Sequence, residues 1–136
     1  MVQHGASLST LYRKTIQHSP TLILVETDGG EILGGFASQP WKCNQNTYYG
    51  NGESFIFHML NGNFTAYHWT RKNSMFMFSN QESLAMGGGG GFGFFLDADM
   101  SKGTSSSCDT FGNECLTSHE DFDIVSVEVW GFVTKR

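Results

Sequence analysis

The sequence TLILVETDGGEILGGFA, at residues 21–37, decides the class of fold. It consists of two apolar runs, Thr21–Thr27 and Ile32–Ala37, on either side of Asp28-Gly29-Gly30. An aspartate followed by glycines suits a tight turn with positive φ, and short runs rich in β-branched residues favour strands. The stretch therefore predicts a β-hairpin.

The same alternation of short apolar runs and turn residues continues toward the C-terminus. Residues 54–60 and 64–69 flank Asn61-Gly62 and predict a second hairpin. Residues 75–78 and 92–96 are further strand candidates, and a last strand is expected at 124–132. In that strand, alternation predicts that Val125, Val127 and Val129 point one way, and Ser126 and Glu128 the other.

One segment, near the N-terminus, has helical spacing. Ser7 suits an N-cap, and the stripe that follows it is Leu8, Leu11, Tyr12 and Thr15. Many short strands with one helix predict a mainly β (α+β) chain, a two-sheet antiparallel β-sandwich with short flanking helices. A length of 136 residues fits a single domain over residues 1–136.

Charge and hydropathy argue against several classes of partner. The net charge is −5 and lysines and arginines form no cluster, which disfavours nucleic acid and anionic membrane surfaces. No apolar run approaches the roughly 20 residues of a membrane span, so no membrane insertion is expected. The N-terminus has no signal-peptide core, and three cysteines without one predict free thiols in a reducing compartment. We expect a monomer in the cytoplasm, with the nucleus or mitochondria as alternatives.

The C-terminal third is acidic. Between Asp97 and Glu128 there are eight carboxylates and one base, Lys102. Such a stretch is either a solvated surface or a docking face for a basic partner.

The glycine run at residues 87–91 leads into residues 88–93 (GGGGFG), which match the G-x-G-x-x-G pattern of dinucleotide-binding loops. That chemistry needs a following helix whose N-terminus holds the phosphate, whereas Phe92-Gly93-Phe94-Phe95-Leu96 is strand-like. A tight backbone crossing or a binding loop is the favoured interpretation.

Metal and thiol chemistry receive weak support from the sequence. Asp97 and Asp99 begin like a calcium loop, but Lys102 replaces the required glycine and Cys108 the bidentate glutamate. Cys108, Cys115 and His119 resemble part of a zinc site that lacks a fourth ligand nearby. We therefore expect no metal and no cofactor. Cys108 is either a small buried apolar residue or an exposed, redox-active thiol, and the first is favoured.

Several blocks of residues, in order from residue 4 to residue 131, resemble the TLDc domain family of oxidation-resistance proteins. The matching blocks are 4–13 (HGASLSTLYR), 34–38 (GGFAS), 48–55 (YYGNGESF), 67–70 (YHWT), 87–99 (GGGGGFGFFLDAD), 106–113 (SSCDTFGN) and, after Leu116, 127–130 (VEVW). The chain departs from the family at Leu33, at Arg71, where glycine is usual, and at Phe95. TLDc domains usually have a further stretch before the first block, so the resemblance implies that this N-terminal stretch is missing.

The resemblance implies a β-sandwich, protection from oxidative damage, and binding to the vacuolar proton-pumping ATPase. We expect a non-enzymatic interaction module; the alternative is a redox-active or metal-dependent protein acting on reactive oxygen species through Cys108 or the acidic cluster. The positions shared with the family are the partner-binding candidates. They are Gly34, Gly50, Gly52, Glu53, Gly88, Gly89, Gly90, Asp97, Asp99 and Glu128.

Overall fold

The computed structural model describes residues 20–41, 47–60 and 62–131. Within these ranges the regular structure is ten strands, all paired antiparallel, and no helix is present that could cross a membrane. The strands are β1 (Thr21–Thr27), β2 (Ile32–Ala37), β3 (Tyr48–Tyr49), β4 (Phe55–Leu60), β5 (Asn63–His68), β6 (Met77–Ser79), β7 (Ser83–Met86), β8 (Phe94–Asp97), β9 (Lys102–Thr104) and β10 (Asp121–Gly131). The prediction of a mainly β, antiparallel fold is confirmed. The helix predicted after Ser7 lies outside the described residues.

The ten strands form one hydrogen-bonded sheet in the order β3-β6-β7-β8-β9-β10-β1-β2-β4-β5. The long strand β10 joins its two halves, because its first residues pair with β9 and its later residues with β1. The halves also meet away from the ladder: a Cβ on Gly35 of β2 would lie 2.4 Å from Met86 Sδ of β7. The more detailed expectation, two separate sheets with flanking helices, stays a prediction.

Both predicted hairpins are confirmed, the first with its predicted bounds. The two isolated candidates are displaced by two residues or fewer, to β6 and β8. Strands β3, β7 and β9 are absent from the sequence prediction. β7 is buried along its whole length and so has no alternation, and β9 has only three residues, including a lysine and a glycine.

The predicted common face of Val125, Val127 and Val129 is wrong at Val125. The pairing of β10 with β1 passes from Ser126 opposite Glu26 to Ile124 opposite Thr27, which leaves Val125 without a partner in β1. This extra residue is a β-bulge, and a bulge shifts the alternation of side chains. Val125 is consequently 44% exposed, while Ile124, Val127 and Val129 are buried.

The buried core draws large side chains from both halves of the sheet. Trp41, Ile23, Leu84, Phe94 and Leu96 are fully buried in one cluster. Burying each such side chain contributes about 1.5–3 kcal/mol, so the core holds the loops between the strands in fixed positions.

Candidate functional site

The glycine loop, residues 87–91 between β7 and β8, is a close-packed crossing of the backbone. Gly87 and Gly89 have φ of 88° and 85°, a region that side chains other than glycine rarely occupy. A Cβ on Gly91 would lie 2.0 Å from Ser106 Oγ, so this glycine lets the loop pack against the segment that follows β9.

Thr110 anchors the glycine loop from that segment. The backbone N–H of Gly88 donates to the buried Thr110 Oγ1 at 3.0 Å. The Thr110 hydroxyl in turn donates to Asn73 Oδ1 at 2.5 Å. The backbone N–H of Asp109 lies 3.0 Å from the carbonyl oxygens of both Gly88 and Gly89. Three separate parts of the chain are thereby joined at one point.

This geometry does not suit a phosphate cradle. Such a cradle presents free backbone N–H groups at the N-terminus of a helix. Here the N–H of Gly88 bonds to Thr110, that of Gly87 bonds to the carbonyl of Phe76, and strand β8 follows. The interpretation of the run as a tight backbone crossing is confirmed for these positions.

Cys108 lies beneath the glycine loop and is only 4% exposed. Its thiol donates to Asn113 Oδ1 at 3.0 Å, next to the isolated backbone bridge between the same two residues. Burial raises the pKa of Cys108, although nearby backbone N–H groups oppose part of that effect. Because the thiolate is the reactive form, this environment disfavours oxidation of Cys108 by peroxide.

The raised pKa of Cys108 also sets the sign of a pH effect. The folded protein holds this proton more tightly than the unfolded chain, whose thiols ionise near pH 8.5. The contribution of Cys108 to stability is therefore fully present below that pH and declines as the pH rises above it.

An open groove of about 610 Å³, referred to below as the acidic groove, lies where the first hairpin turn meets β8, β9 and β10. Four carboxylates line it: Asp28, Asp97, Asp121 and Asp123. Among the described residues that line this groove, Lys102 is the only lysine or arginine, and it forms an exposed ion pair with Asp123 at 2.7 Å. The hydrogen bond and charge of Asp123 raise the pKa of Lys102, so the lysine stays charged and the acidic groove is left with a net negative charge.

The calcium-like Asp97-x-Asp99 pattern forms a turn. Asp97 Oδ1 accepts the backbone N–H of Ser101 at 3.0 Å and that of Lys102 at 3.3 Å, which closes the connection from β8 to β9. Asp99 is exposed in this turn. Among the described residues no group of three or more His, Cys, Asp or Glu side chains could hold a metal ion.

The other partner-binding candidates are dispersed. Gly34 is buried in β2 and Gly88 in the glycine loop, whereas Gly90 is exposed with open space around it. Gly50 has φ of 96°, and a Cβ on Gly52 would lie 2.2 Å from the Trp69 ring. Glu53 is exposed before β4, and Glu128 accepts a hydrogen bond from Trp130 Nε1 on β10, so neither lines the acidic groove.

Arg71, where the resemblance implies a glycine, adopts a left-handed backbone with φ of 71°. Its guanidinium lies 4.9 Å from the centre of the Trp69 ring, close enough for a cation–π interaction. The backbone thus keeps a conformation suited to glycine, although the residue differs.

Sequence reasoning missed the anchoring role of Thr110 and Asn73, and it missed Asp28 as part of the acidic groove. Thr110 belongs to the block at 106–113, which resembles the family, but the resemblance does not predict the hydrogen bonds that Thr110 makes. Asp28 reaches the acidic groove because its backbone N–H donates to the carbonyl of Asp123, a pairing of distant segments. Only the folded structure brings these residues together.

The fold and its loops define an antiparallel β domain in which glycines serve close packing of the backbone. The chain belongs to the TLDc domain family, whose family model matches residues 1–133.

Relatives with similar sequences include nuclear receptor coactivator 7 of Gallus gallus, 43% identical over 133 residues. Oxidation resistance protein 1 of Bos taurus is 44% identical over 132 residues, and that of Homo sapiens is 42% identical over 132 residues. Each alignment covers 96% of this chain but only 14–15% of the relative. The similarity is therefore to one domain of much longer proteins.

Proposed function

We propose that this chain is a non-enzymatic interaction module that contributes to protection from oxidative damage and binds the vacuolar proton-pumping ATPase. It acts as a monomer in the cytoplasm. The protective role is supported by TLDc membership and by similarity to proteins named for oxidation resistance. The ATPase enters from the family resemblance, and the acidic groove is the surface to which we assign it.

The observation that carries a binding role is the dispersal of the shared acidic residues. Asp97 lies in the acidic groove, whereas Glu53 and Glu128 lie elsewhere on the domain. Catalysis by carboxylates needs their side chains to converge on one reacting atom. Acids that do not converge are better suited to docking than to chemistry.

The acidic groove favours a basic partner surface. Its four carboxylates outnumber its one lysine, and complementary charges steer association and fix orientation. Asp28 and Asp121 are exposed and take no part in the turn that Asp97 closes, so they can be changed without disturbing it.

Reversing the charge of Asp28 and Asp121 is expected to weaken ATPase binding. Because two attractive charges become repulsive, the double variant D28K/D121K should lose about tenfold or more in affinity for the purified ATPase at low salt. The control E26K/E82K makes the same change in net charge at exposed positions outside the acidic groove. Equal binding by both double variants would remove the acidic groove from the interface, and no binding by the wild-type chain would refute the ATPase proposal.

A further inference from the structure

Strand β5 forms one edge of the sheet, and its outer side has no strand beside it in the part of the chain that the structure describes. All six of its residues pair with β4 in an uninterrupted register, so no bulge bends the edge away. Its sequence, NFTAYH, contains no lysine and no proline. Natural edge strands usually carry such features to prevent pairing with another chain.

The hairpin register identifies the free backbone groups of β5. Leu60 lies opposite Asn63 across a two-residue connection, with Gly62 at φ of 82°. In such hairpins the residues flanking the turn are hydrogen-bonded to each other, and bonded and non-bonded pairs then alternate. Asn63, Thr65 and Tyr67 therefore bond to β4. The N–H and C=O groups of Phe64, Ala66 and His68 point outward.

The two faces beside this edge differ in chemistry. On one face Phe64 is 55% exposed, and its ring lies 5.1 Å from that of Phe57. On the other face Tyr67 Oη lies 3.4 Å from His58 Nε2. His58 Nδ1 lies 3.2 Å from the carbonyl oxygen of Leu116, so the segment that carries Glu114 lies against this face. The pKa of Tyr67 is raised first by burial and then by the carboxylate of Glu114. Glu114 is itself exposed. One face of the edge is thus apolar and the other is next to a negative charge.

We propose that the β5 edge binds an extended segment of another protein as an added antiparallel strand, with apolar residues alternating with basic ones. The outward N–H and C=O groups, which pair with no strand among the described residues, supply the ladder, Phe64 contacts the apolar side chains, and Glu114 attracts the basic ones. This site is separate from the acidic groove, and its existence does not depend on the ATPase proposal.

A second copy of the chain fits this edge less well. Two β5 strands paired about a two-fold axis would bring two Glu114 carboxylates to the same face of the joined sheet. A contact limited to one six-residue edge also buries little surface, less than the roughly 1,200 Å² that a stable protein–protein interface buries. An extended segment avoids the first problem and makes weaker, reversible contacts.

Hydrogen exchange measured residue by residue by NMR tests the proposal. The probe is the peptide acetyl-Val-Lys-Val-Lys-Val-Lys-Val-amide, added to the full chain. We expect the amides of Phe64, Ala66 and His68 to exchange at least about fivefold more slowly, while those of Thr65 and Tyr67, already bonded to β4, change little. Unchanged exchange at the three outward amides in saturating peptide would overturn the proposal.

Two variants make the test specific. Ala66→Pro removes one outward N–H at a position where an edge strand tolerates proline, and it should abolish the protection; the control Ala66→Thr should keep it.

If Ala66→Pro does not fold, the variant Phe64→Lys tests the proposal instead, because it leaves the backbone intact. It should reduce peptide affinity about tenfold by placing a charge among apolar and basic side chains. Undiminished binding by Phe64→Lys would contradict the proposal, and so would concentration-dependent protection of these amides without peptide, which would indicate a second copy.

Discussion

Replacing Gly34 with alanine is expected to lower the free energy of unfolding by about 4 kcal/mol, enough to unfold much of the protein at 37 °C. A Cβ at this position would lie 1.8 Å from the backbone carbonyl oxygen of Ile23 and 2.9 Å from Phe57 Cζ. The first of these atoms is backbone in the neighbouring strand β1, so it cannot move aside without separating the two strands. Urea denaturation followed by circular dichroism measures the effect.

The matched control for Gly34→Ala is Gly29→Ala in the turn of the same hairpin. A Cβ on Gly29 would meet its nearest atom at 3.8 Å, which is ordinary contact, and its φ is not in the left-handed region. We expect Gly29→Ala to change stability by less than about 1 kcal/mol. Similar values for the two variants would mean that the close approach of β1 and β2 is not as described.

Replacing Thr110 with valine is expected to cost about 2 kcal/mol of stability. Valine has nearly the same shape but no hydroxyl, so the buried backbone N–H of Gly88 loses its acceptor, while Asn73 Oδ1 keeps the N–H of Met75. Leaving one buried polar group without a partner costs about 1–3 kcal/mol, which is more than the net value of a hydrogen bond. The same denaturation experiment measures this loss.

Thr110→Ser separates the hydroxyl from the methyl group. Serine keeps the hydrogen bonds and loses one buried methyl, so the expected loss is about 1 kcal/mol. If valine were as stable as wild type, or if serine were the more damaging substitution, the hydrogen bonds of Thr110 would not be what holds the glycine loop in place.

The hairpins could be predicted because their signals are local. Apolar runs on either side of Asp28-Gly29-Gly30 and Asn61-Gly62 determine both the strands and the turns between them. The bulge at Val125 could not be predicted in this way, since it depends on how β10 pairs with β1. For the same reason the fully buried strand β7 has no period that distinguishes it from other apolar segments.

The functional candidates were harder to predict than the strands. Resemblance selects glycines and acids that the family shares, but it does not separate those required for packing, such as Gly34, from those that are exposed, such as Gly90. The link from Thr110 to Asn73 spans 37 residues, and the acidic groove joins Asp28 to Asp123. Contacts between such distant segments are set by the whole sheet.

We propose that the chain protects by binding and that its buried thiol is not consumed. The most direct test is survival after peroxide of cells that depend on this chain. Cys108→Ser keeps a hydroxyl that can donate to Asn113 and removes the oxidisable sulfur. We expect it to protect as well as wild type, while D28K/D121K, folded and equally abundant, protects less. Loss of protection in a folded Cys108→Ser variant, with D28K/D121K fully protective, would contradict the account.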